Sequence, residues 1–388
     1  MRCLATHKIF LSYLTLPCCK AEVIGSLTSM KVPWLPQLSS LNGPILVTGH
    51  TGFKGSWLVQ MMDFLEIPTV GLSLEPEEGS LFDLAQLRGS RPEYFVDLRS
   101  HEDTLEALQA IKPSAIIHLA AQPLVLASYS RTVETFQTNA MGTAHLLEAC
   151  RSLTDIRAIG IVTTDKVYRN SESGRRYVES DALGGQDPYS ASKVATEAEV
   201  SAYRTILGAE TPLVALRAGN VIGGGDVAEN RLLPDLIKAW QRGEPATIRN
   251  PESVRPWQHV IDPLVGYLFA MEALLAGIPN LDAVNFGPSL EDNLNVGEVA
   301  KHFSKISRTP LIISPENPSK PHESQLLHLD STKAEKDLNW LSLYSGLEAV
   351  DLTFLWWQEL ARNRNALEIC AEQIASAVTL GSKRRSHA

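Results

Sequence analysis

From Pro44 onward, apolar runs of strand length alternate with longer segments of helical period, and this alternation constrains the fold more than any other feature of the chain. The runs are Ile45-Leu46-Val47, Thr69 to Leu72, Tyr94 to Val96, Ala115 to Leu119, Ala158 to Val162 and Leu213 to Leu216. Between them, Gly55 to Phe64, Thr132 to Cys150 and Tyr189 to Leu207 read as helices. The last two are long and apolar along one side, as at Phe136, Ala140, Ala144 and Leu147. Strands that are apolar throughout need cover on both faces, and helix-length connections provide it. The expectation is an α/β fold with a doubly wound parallel sheet.

After Arg217 the pattern loosens into Gly- and Pro-rich connections such as Gly223-Gly224-Gly225 and Asn250-Pro251, with shorter helices near Leu232 to Arg242 and Val296 to Ser307. In a chain of 388 residues this predicts one large domain over 44–217 and a smaller lobe over 218–364, some of whose strands return to the sheet. Residues 365–388 read as a tail carrying the basic run Lys383-Arg384-Arg385, and Ser314 to Ser324, rich in Pro and Ser, as a surface loop. Residues 1–43 read as an extension. Within it, Ile9 to Pro17 behind Lys8 resembles the start of a signal peptide, but no small-x-small cleavage pattern follows, and Met30 is an alternative start. No run approaches the roughly 20 apolar residues that span a bilayer. The five cysteines, Cys3, Cys18, Cys19, Cys150 and Cys370, show no C-x-x-C spacing, so neither a metal site nor a disulfide framework is expected, and a reducing cytoplasm fits best.

The first strand runs into Gly49-His50-Thr51-Gly52-Phe53-Lys54-Gly55 before the first helix. Glycines at three-residue spacing let backbone approach a pyrophosphate, and the helix start offers free N–H groups and positive dipole. The turn therefore reads as a dinucleotide site, with Gly49, Thr51, Gly52, Phe53, Lys54 and Gly55 as its contacts. A carboxylate for the adenosine ribose is expected where the second strand ends. The sequence there is Gly71-Leu72-Ser73-Leu74-Glu75, and no pair of arginines for a 2′-phosphate stands nearby.

Tyr189-Ser190-Ala191-Ser192-Lys193 opens a helix, so phenol and ammonium at i and i+4 share a face. The ammonium is expected to lower the phenol's pKa. A phenolate beside a nicotinamide can take the proton of a sugar hydroxyl whose carbon gives up hydride. Helix pairs of this spacing also occur as plain surface features, and the glycine loop upstream is what points this one to chemistry.

The glycine spacing and the Tyr/Lys pair resemble those of the extended short-chain dehydrogenases/reductases, the NAD-dependent epimerase/dehydratase family. The resemblance implies a Rossmann-like sheet, a smaller C-terminal substrate-binding lobe and NAD as cofactor. It also implies that Asp97 and Leu98 meet adenine, that Leu119, Ala120, Ala121, Gln122 and Thr163 line the cofactor with Tyr189 and Lys193, and that Asn139 is a structural polar residue. Thr164, after the fifth strand, would hydrogen-bond the substrate hydroxyl.

Longer segments bring the chain close to the CDP-glucose 4,6-dehydratases over about Pro44 to Trp357: Gly49 to Trp57, Leu119 to Val125, Thr164-Asp165-Lys166, Leu183 to Tyr189, Arg217 to Asp226 and Arg255 to Val260. Most sugar-nucleotide dehydratases carry Asp-Glu after the Thr, and this chain carries Asp165-Lys166. What the resemblance implies is oxidation at C4 of the sugar, removal of the C5 proton by Lys166, protonation of the departing C6 hydroxyl by Asp165, and hydride return to C6.

A formal charge of −9 argues against a general polyanion-binding surface, so nucleic acid is not an expected partner, and no membrane is expected either. The substrate pyrophosphate must meet specific cations, for which Arg231, Arg249 and Arg255 are the candidates, with Asn220 at the family's phosphate-contacting position. Trp257 reads as core rather than as a base-stacking platform. CDP-glucose as the substrate rests on resemblance alone. Another nucleotide sugar, dehydrated or epimerised, is the competing substrate. A non-catalytic NAD sensor is the competing class, disfavoured by Tyr189 and Lys193. The two long helices suit either packing within one subunit or pairing between copies, and a homo-oligomer, dimer or tetramer, is expected.

Overall fold

The computed structural model describes residues 35–289, 292, 294–314 and 326–385. Seven strands form one parallel sheet: β1 (Ile45–Thr48), β2 (Thr69–Ser73), β3 (Glu93–Phe95), β4 (Ala115–His118), β5 (Ile159–Val162), β6 (Leu213–Ala218) and β7 (Ala283–Phe286). Their order is β3-β2-β1-β4-β5-β6-β7, so the chain direction across the sheet reverses between β1 and β4. The expected third strand is shifted by one residue, and β7, which comes from the 218–364 segment, joins the sheet edge in register with β6 as Ala283 opposite Ala215 and Phe286 opposite Ala218.

Alternation along the strands explains the two-sided cover. Ile45, Val47, Ile117, Val214 and Leu216 enter one apolar core, whereas Leu46, Ile116, Ile159, Ile161 and Ala215 enter another on the opposite face. The first core is closed by α1 (Phe53–Phe64) and by helix Ile261–Leu275. The second is closed by α2 (His101–Ile111), by α3 over 132–150, and by α4 (Pro188–Leu207). Each fully buried Leu, Ile or Phe contributes about 1.5–3 kcal/mol. Both faces are therefore strongly held.

The lobe helices Leu232–Arg242 and Val296–Ser307 form where the sequence predicts them. Each ends on a left-handed residue, Gly243 and Arg308, that halts the turn, and Asn295 with Glu298 makes a reciprocal cap at the second helix's start. Two expectations at the chain ends change. The expected tail forms helix Ala366–Arg385, because Ala366, Ile369, Cys370, Ile374, Ala377 and Val378 recur at helical spacing and enter the first core. The last part of the expected extension forms helix Pro36–Ser39, whose Leu38 is buried and whose N-terminal amides, Gln37 and Leu38, donate to Glu272 at 2.8 and 2.9 Å. The signal-like run Ile9 to Pro17, Met30, three of the cysteines and most of the Ser314 to Ser324 segment lie outside the described residues, as do the side chains of Lys383-Arg384-Arg385. Among the described residues, no helix is long and apolar enough to cross a membrane.

Candidate active site

The crevice where strand order reverses is bounded by the glycine turn after β1 and by residues 119–122 after β4. Gly49 adopts a φ of +71°, and a Cβ there would stand 2.7 Å from the Ala120 nitrogen. A Cβ on Gly55 would stand 2.1 Å from the Gly49 carbonyl oxygen. Both contacts are prohibitive for a side chain, so the glycines let two strand ends and a helix start converge. Gly52 precedes α1 without any side-chain cap, which leaves the first N–H groups of the helix for an anion. These residues fit the pyrophosphate of a dinucleotide.

The Thr51 hydroxyl bonds Ser73 Oγ at 2.7 Å and donates to the Leu74 carbonyl at 3.1 Å, locking the turn to the end of β2. Hydroxyls thus stand where a carboxylate is usual, and Glu75 is ion-paired with Arg88. Phe53 abuts Gly223 of the lobe. Asp97 pairs with Arg99, which holds its carboxyl below the usual range, and the Leu98 carbonyl accepts from His145 Nδ1 at 2.9 Å. Leu119 and Ala120 donate to Thr48 through their backbone amides. Asn139 accepts from the Gln122 amide at 2.8 Å and donates to the Gln122 carbonyl and to Ser192 Oγ, so it ties the segment after β4 to α4. It lies in a π turn, Gln137–Met141, inside α3, where the extra residue per turn is what the sequence pattern hides.

The start of α4 is set by Asp187, whose side chain accepts from the Ser190 amide, and by Pro188 in the first turn. Gly185 presses on it so closely that a Cβ would meet the Ala191 nitrogen at 2.3 Å. Tyr189 and Lys193 are both buried. Burial pushes the Tyr189 phenol up to about 12, the reverse of the expected direction, although a hydrogen bond with Thr164 and the charge of Arg231 pull it back. A buried phenolate is poorly solvated, and Lys193 Nζ donates to the Val162 carbonyl at 3.1 Å. Burial likewise brings the Lys193 ammonium down to about 8, with Glu197 and Glu199 opposing the shift. Lys54 keeps some exposed surface, yet loss of water and the nearby charge of Arg231 bring it to about 7. Its ammonium stands 6.0 Å from the centre of the Tyr267 ring.

Asp165 and Lys166 follow β5 in a short 3-10 turn, capped by Thr164. Asp165 is 0 % exposed. Its Oδ1 accepts from Thr164 Oγ1 at 2.9 Å and from Lys166 Nζ at 3.1 Å, while its Oδ2 is buried without a hydrogen-bond partner. Lys166 Nζ also donates to Asn220 Oδ1 at 3.3 Å, so Asn220 joins the site through the lysine. Thr163 is committed elsewhere, its hydroxyl donating to Glu197 at 2.7 Å.

The three arginines diverge. Arg231 bonds Asp226 at 3.0 Å and its charge is felt at both Tyr189 and Lys54, which places it at the site. Arg249 pairs at 3.7 Å with Asp235 of helix Leu232–Arg242 and both are half-exposed. Arg255 is only 7 % exposed and donates to the adjacent Val254 carbonyl. Trp257 is buried, its indole N–H donating to the Leu294 carbonyl at 3.0 Å. Sequence reasoning passed over His118, buried between Thr48 and Thr143 and driven down to about 3 by burial, and the pair Glu197–Arg217. Glu197 follows Lys193 by four residues on the same helix, a spacing that was legible.

A sequence model of the NAD dependent epimerase/dehydratase family matches residues 45–287. The chain belongs to that family. It is 36 % identical to CDP-glucose 4,6-dehydratase of Salmonella typhimurium over 85 % of this chain and 94 % of that protein. It is 28 % identical to dTDP-glucose 4,6-dehydratase of Xanthomonas campestris pv. campestris, over 80 % and 92 % of the two chains. Among solved structures, the UDP-glucose 4-epimerase of Thermus thermophilus in complex with NAD superimposes with a TM-score of 0.72 at 24 % identity, covering 81 % of this chain and 99 % of that one. At that identity the likeness bears on the fold, and it agrees with the α/β sheet described above.

Proposed function

We propose that the protein converts CDP-glucose to CDP-4-keto-6-deoxyglucose, as a hydro-lyase that uses NAD and regenerates it. The observation that carries this reading is the junction of two pairs of residues. Thr164 donates to Asp165, which accepts from Lys166, and the same Thr164 lies close enough to Tyr189 to lower the pKa of its phenol. The 36 % identity to a CDP-glucose 4,6-dehydratase supports the choice of nucleotide.

NAD held at the glycine turn supplies a hydride acceptor for the sugar's C4 and a hydride donor for its C6. Tyr189, whose phenol the Arg231 charge and Thr164 pull toward ionisation against its burial, takes the proton of the C4 hydroxyl as its phenolate. The resulting 4-keto group acidifies the C5 proton. The elimination calls for Lys166 as amine and Asp165 as carboxylic acid, and the 3.1 Å contact from Lys166 Nζ to Asp165 is the path along which one proton passes between them. The Lys166 amine then takes the C5 proton, while Asp165 delivers its own to the C6 hydroxyl, which leaves as water. The partnerless Oδ2 is the oxygen free to hold that proton. Lys166 afterwards returns its proton to C5, and the proton on Tyr189 passes through Thr164 to Asp165, which resets the site. Arg231 and Asn220 are assigned to the substrate phosphates, and Arg255 to the wall behind them.

Incubation of the protein with CDP-glucose and, separately, UDP-, dTDP- and GDP-glucose tests the reading. Alkaline absorbance of a 4-keto sugar and a mass lower by one water are expected with CDP-glucose. Product from another sugar nucleotide alone moves the assignment to it, and no product from any of them overturns it.

Two coarser proposals accompany this one. Residues 44–217 act as the dinucleotide domain and 218–364 as the sugar-nucleotide lobe, with β7 lent back to the sheet. A homo-oligomer is proposed because Tyr129, Val133, Met141 and Ile206, on or next to α3 and α4, remain exposed, and a cytoplasmic location because the five cysteines show no C-x-x-C or disulfide pattern. Light scattering of the purified protein decides between monomer, dimer and tetramer.

A further inference from the structure

A buried ion pair outside the reacting groups holds both ends of the segment that carries Asp165 and Lys166. Glu197 and Arg217 meet through two hydrogen bonds, Nε to Oε1 at 2.8 Å and Nη2 to Oε2 at 2.9 Å, with both side chains 5 % exposed. Upstream of the segment, Thr163 Oγ1 donates to Glu197 Oε1 at 2.7 Å. Downstream, Arg217 Nη1 donates to Tyr168 OH at 2.8 Å, and its guanidinium lies 5.0 Å from the centre of that ring. Tyr168 OH in turn donates to Asn285 Oδ1 at 2.6 Å, on β7. Val167 and Tyr168 are buried in a small apolar cluster with Tyr177, Leu327 and Leu329, which grips the same end. The 3-10 turn between the two anchors has one long internal backbone bond, Val167 N–H to the Thr164 carbonyl at 3.4 Å, so most of its geometry is set from outside.

We propose that Glu197 and Arg217 are positioning residues that fix Asp165 and Lys166 for elimination, through Thr163 at one end and Tyr168 at the other. The proposal rests on the reading of Asp165 and Lys166 as the elimination pair. Charge burial of this degree adds little to stability alone, since an ion pair removed from water recovers little beyond its desolvation cost. Held by five hydrogen bonds, it is well suited to orientation. Displacement of a reacting group by about 1 Å can slow a step about a hundredfold. Glu197 also faces Lys193, whose other neighbours are Glu199 on the same helix, His118 from β4, Lys54 from the glycine turn, and the Val162 carbonyl. Loss of the Glu197 charge leaves only Glu199, whose own carboxyl burial pushes up to about 8, to oppose loss of the Lys193 proton. The alkaline fall in C4 oxidation then moves to lower pH.

The experiment compares Tyr168→Phe, Glu197→Gln and Glu197→Asp with Lys166→Ala in rapid mixing with CDP-glucose. Reduced-cofactor absorbance reports C4 oxidation, and water loss by quenched mass measurement reports elimination. Tyr168→Phe touches neither Lys193 nor the glycine turn. It is expected to slow elimination about tenfold and C4 oxidation less than about twofold. Glu197→Gln is expected to slow elimination and to shift the pH profile of C4 oxidation, and Glu197→Asp to restore the profile in part. Equal loss in both steps, or unchanged elimination in Tyr168→Phe, overturns the proposal, as does a Glu197→Gln profile that superimposes on that of the parent. Should Glu197→Gln fail to fold, Tyr168→Phe decides. Elimination that survives Lys166→Ala overturns the underlying assignment instead, so the two failures are distinct.

Discussion

Tyr189 and Lys193 occupy successive turns at the start of a 20-residue helix, whereas Asp165 and Lys166 are neighbours in a three-residue turn. The helix fixes its pair by backbone periodicity, and burial then displaces both of their pKa values. The turn has a single long backbone bond of its own, and its pair is held mainly by Thr164, Asn220 and the Glu197–Arg217 anchors. A rigid element can be read from spacing; a short loop takes its geometry from distant partners. The same contrast separates the two halves of the proposed reaction.

The largest effects test that separation directly. Tyr189→Phe is expected to cut turnover by about 10²–10⁴ with no transient of reduced cofactor, because the first proton transfer is lost. A normal transient in that variant breaks the division of labour. Lys166→Ala is expected to lose a similar factor in turnover, about 10²–10⁴, yet to accumulate reduced cofactor on mixing with substrate. Normal product release by it dissolves the second half of the comparison.

A pH series sharpens the contrast from the helix side. With its ammonium brought to about 8, Lys193 loses its charge above that pH, so C4 oxidation is expected to decline there. Stability moves the other way. Between about 8 and the ordinary 10.5, the unfolded chain still holds the proton that the folded chain has released, so unfolding free energy rises with pH. Denaturant titrations of the protein and of Lys193→Met at about pH 8 and about pH 10 should show this rise in the parent and its loss in the variant. Smaller effects concern substrate and cap. Arg231→Met is expected to raise KM for the sugar nucleotide about tenfold, the order of one charge-assisted hydrogen bond, while Arg249→Met leaves it unchanged. Asp187→Ala should cost about 1 kcal/mol of stability by uncapping α4, with both half-reactions keeping their ratio.

What was legible in the sequence follows the same line. Helices Leu232–Arg242 and Val296–Ser307 stood out because a one-sided apolar stripe ends in a residue that halts the turn. Helix Ile261–Leu275 did not, since it is apolar nearly all round and carries no stripe. The C-terminal helix reads as a tail from sequence because its buried residues are separated by polar ones, and only their helical spacing gives it away. In the site, the glycine turn, Tyr189, Lys193 and the Thr164-Asp165-Lys166 run were visible as local motifs. Arg231 and Arg249 looked alike, since nothing nearby in sequence says which one folds towards Tyr189. The partnership of Glu197 with Arg217, and of Tyr168 with Asn285, joins residues far apart in the chain, and only the folded sheet brings them together.

The return of β7 to the sheet has a mechanical consequence. A segment joined to its neighbour by a single connection can swing on it like a door, but residues 218–364 are stitched to the sheet edge in the middle of their own sequence, with Asn285 bonded to Tyr168 beside the stitch. A rotation of that segment as a whole would shear four residue pairs of a buried parallel ladder. The turn that carries Asp165 and Lys166 runs directly into Tyr168, so it is tied to that ladder and shares its rigidity.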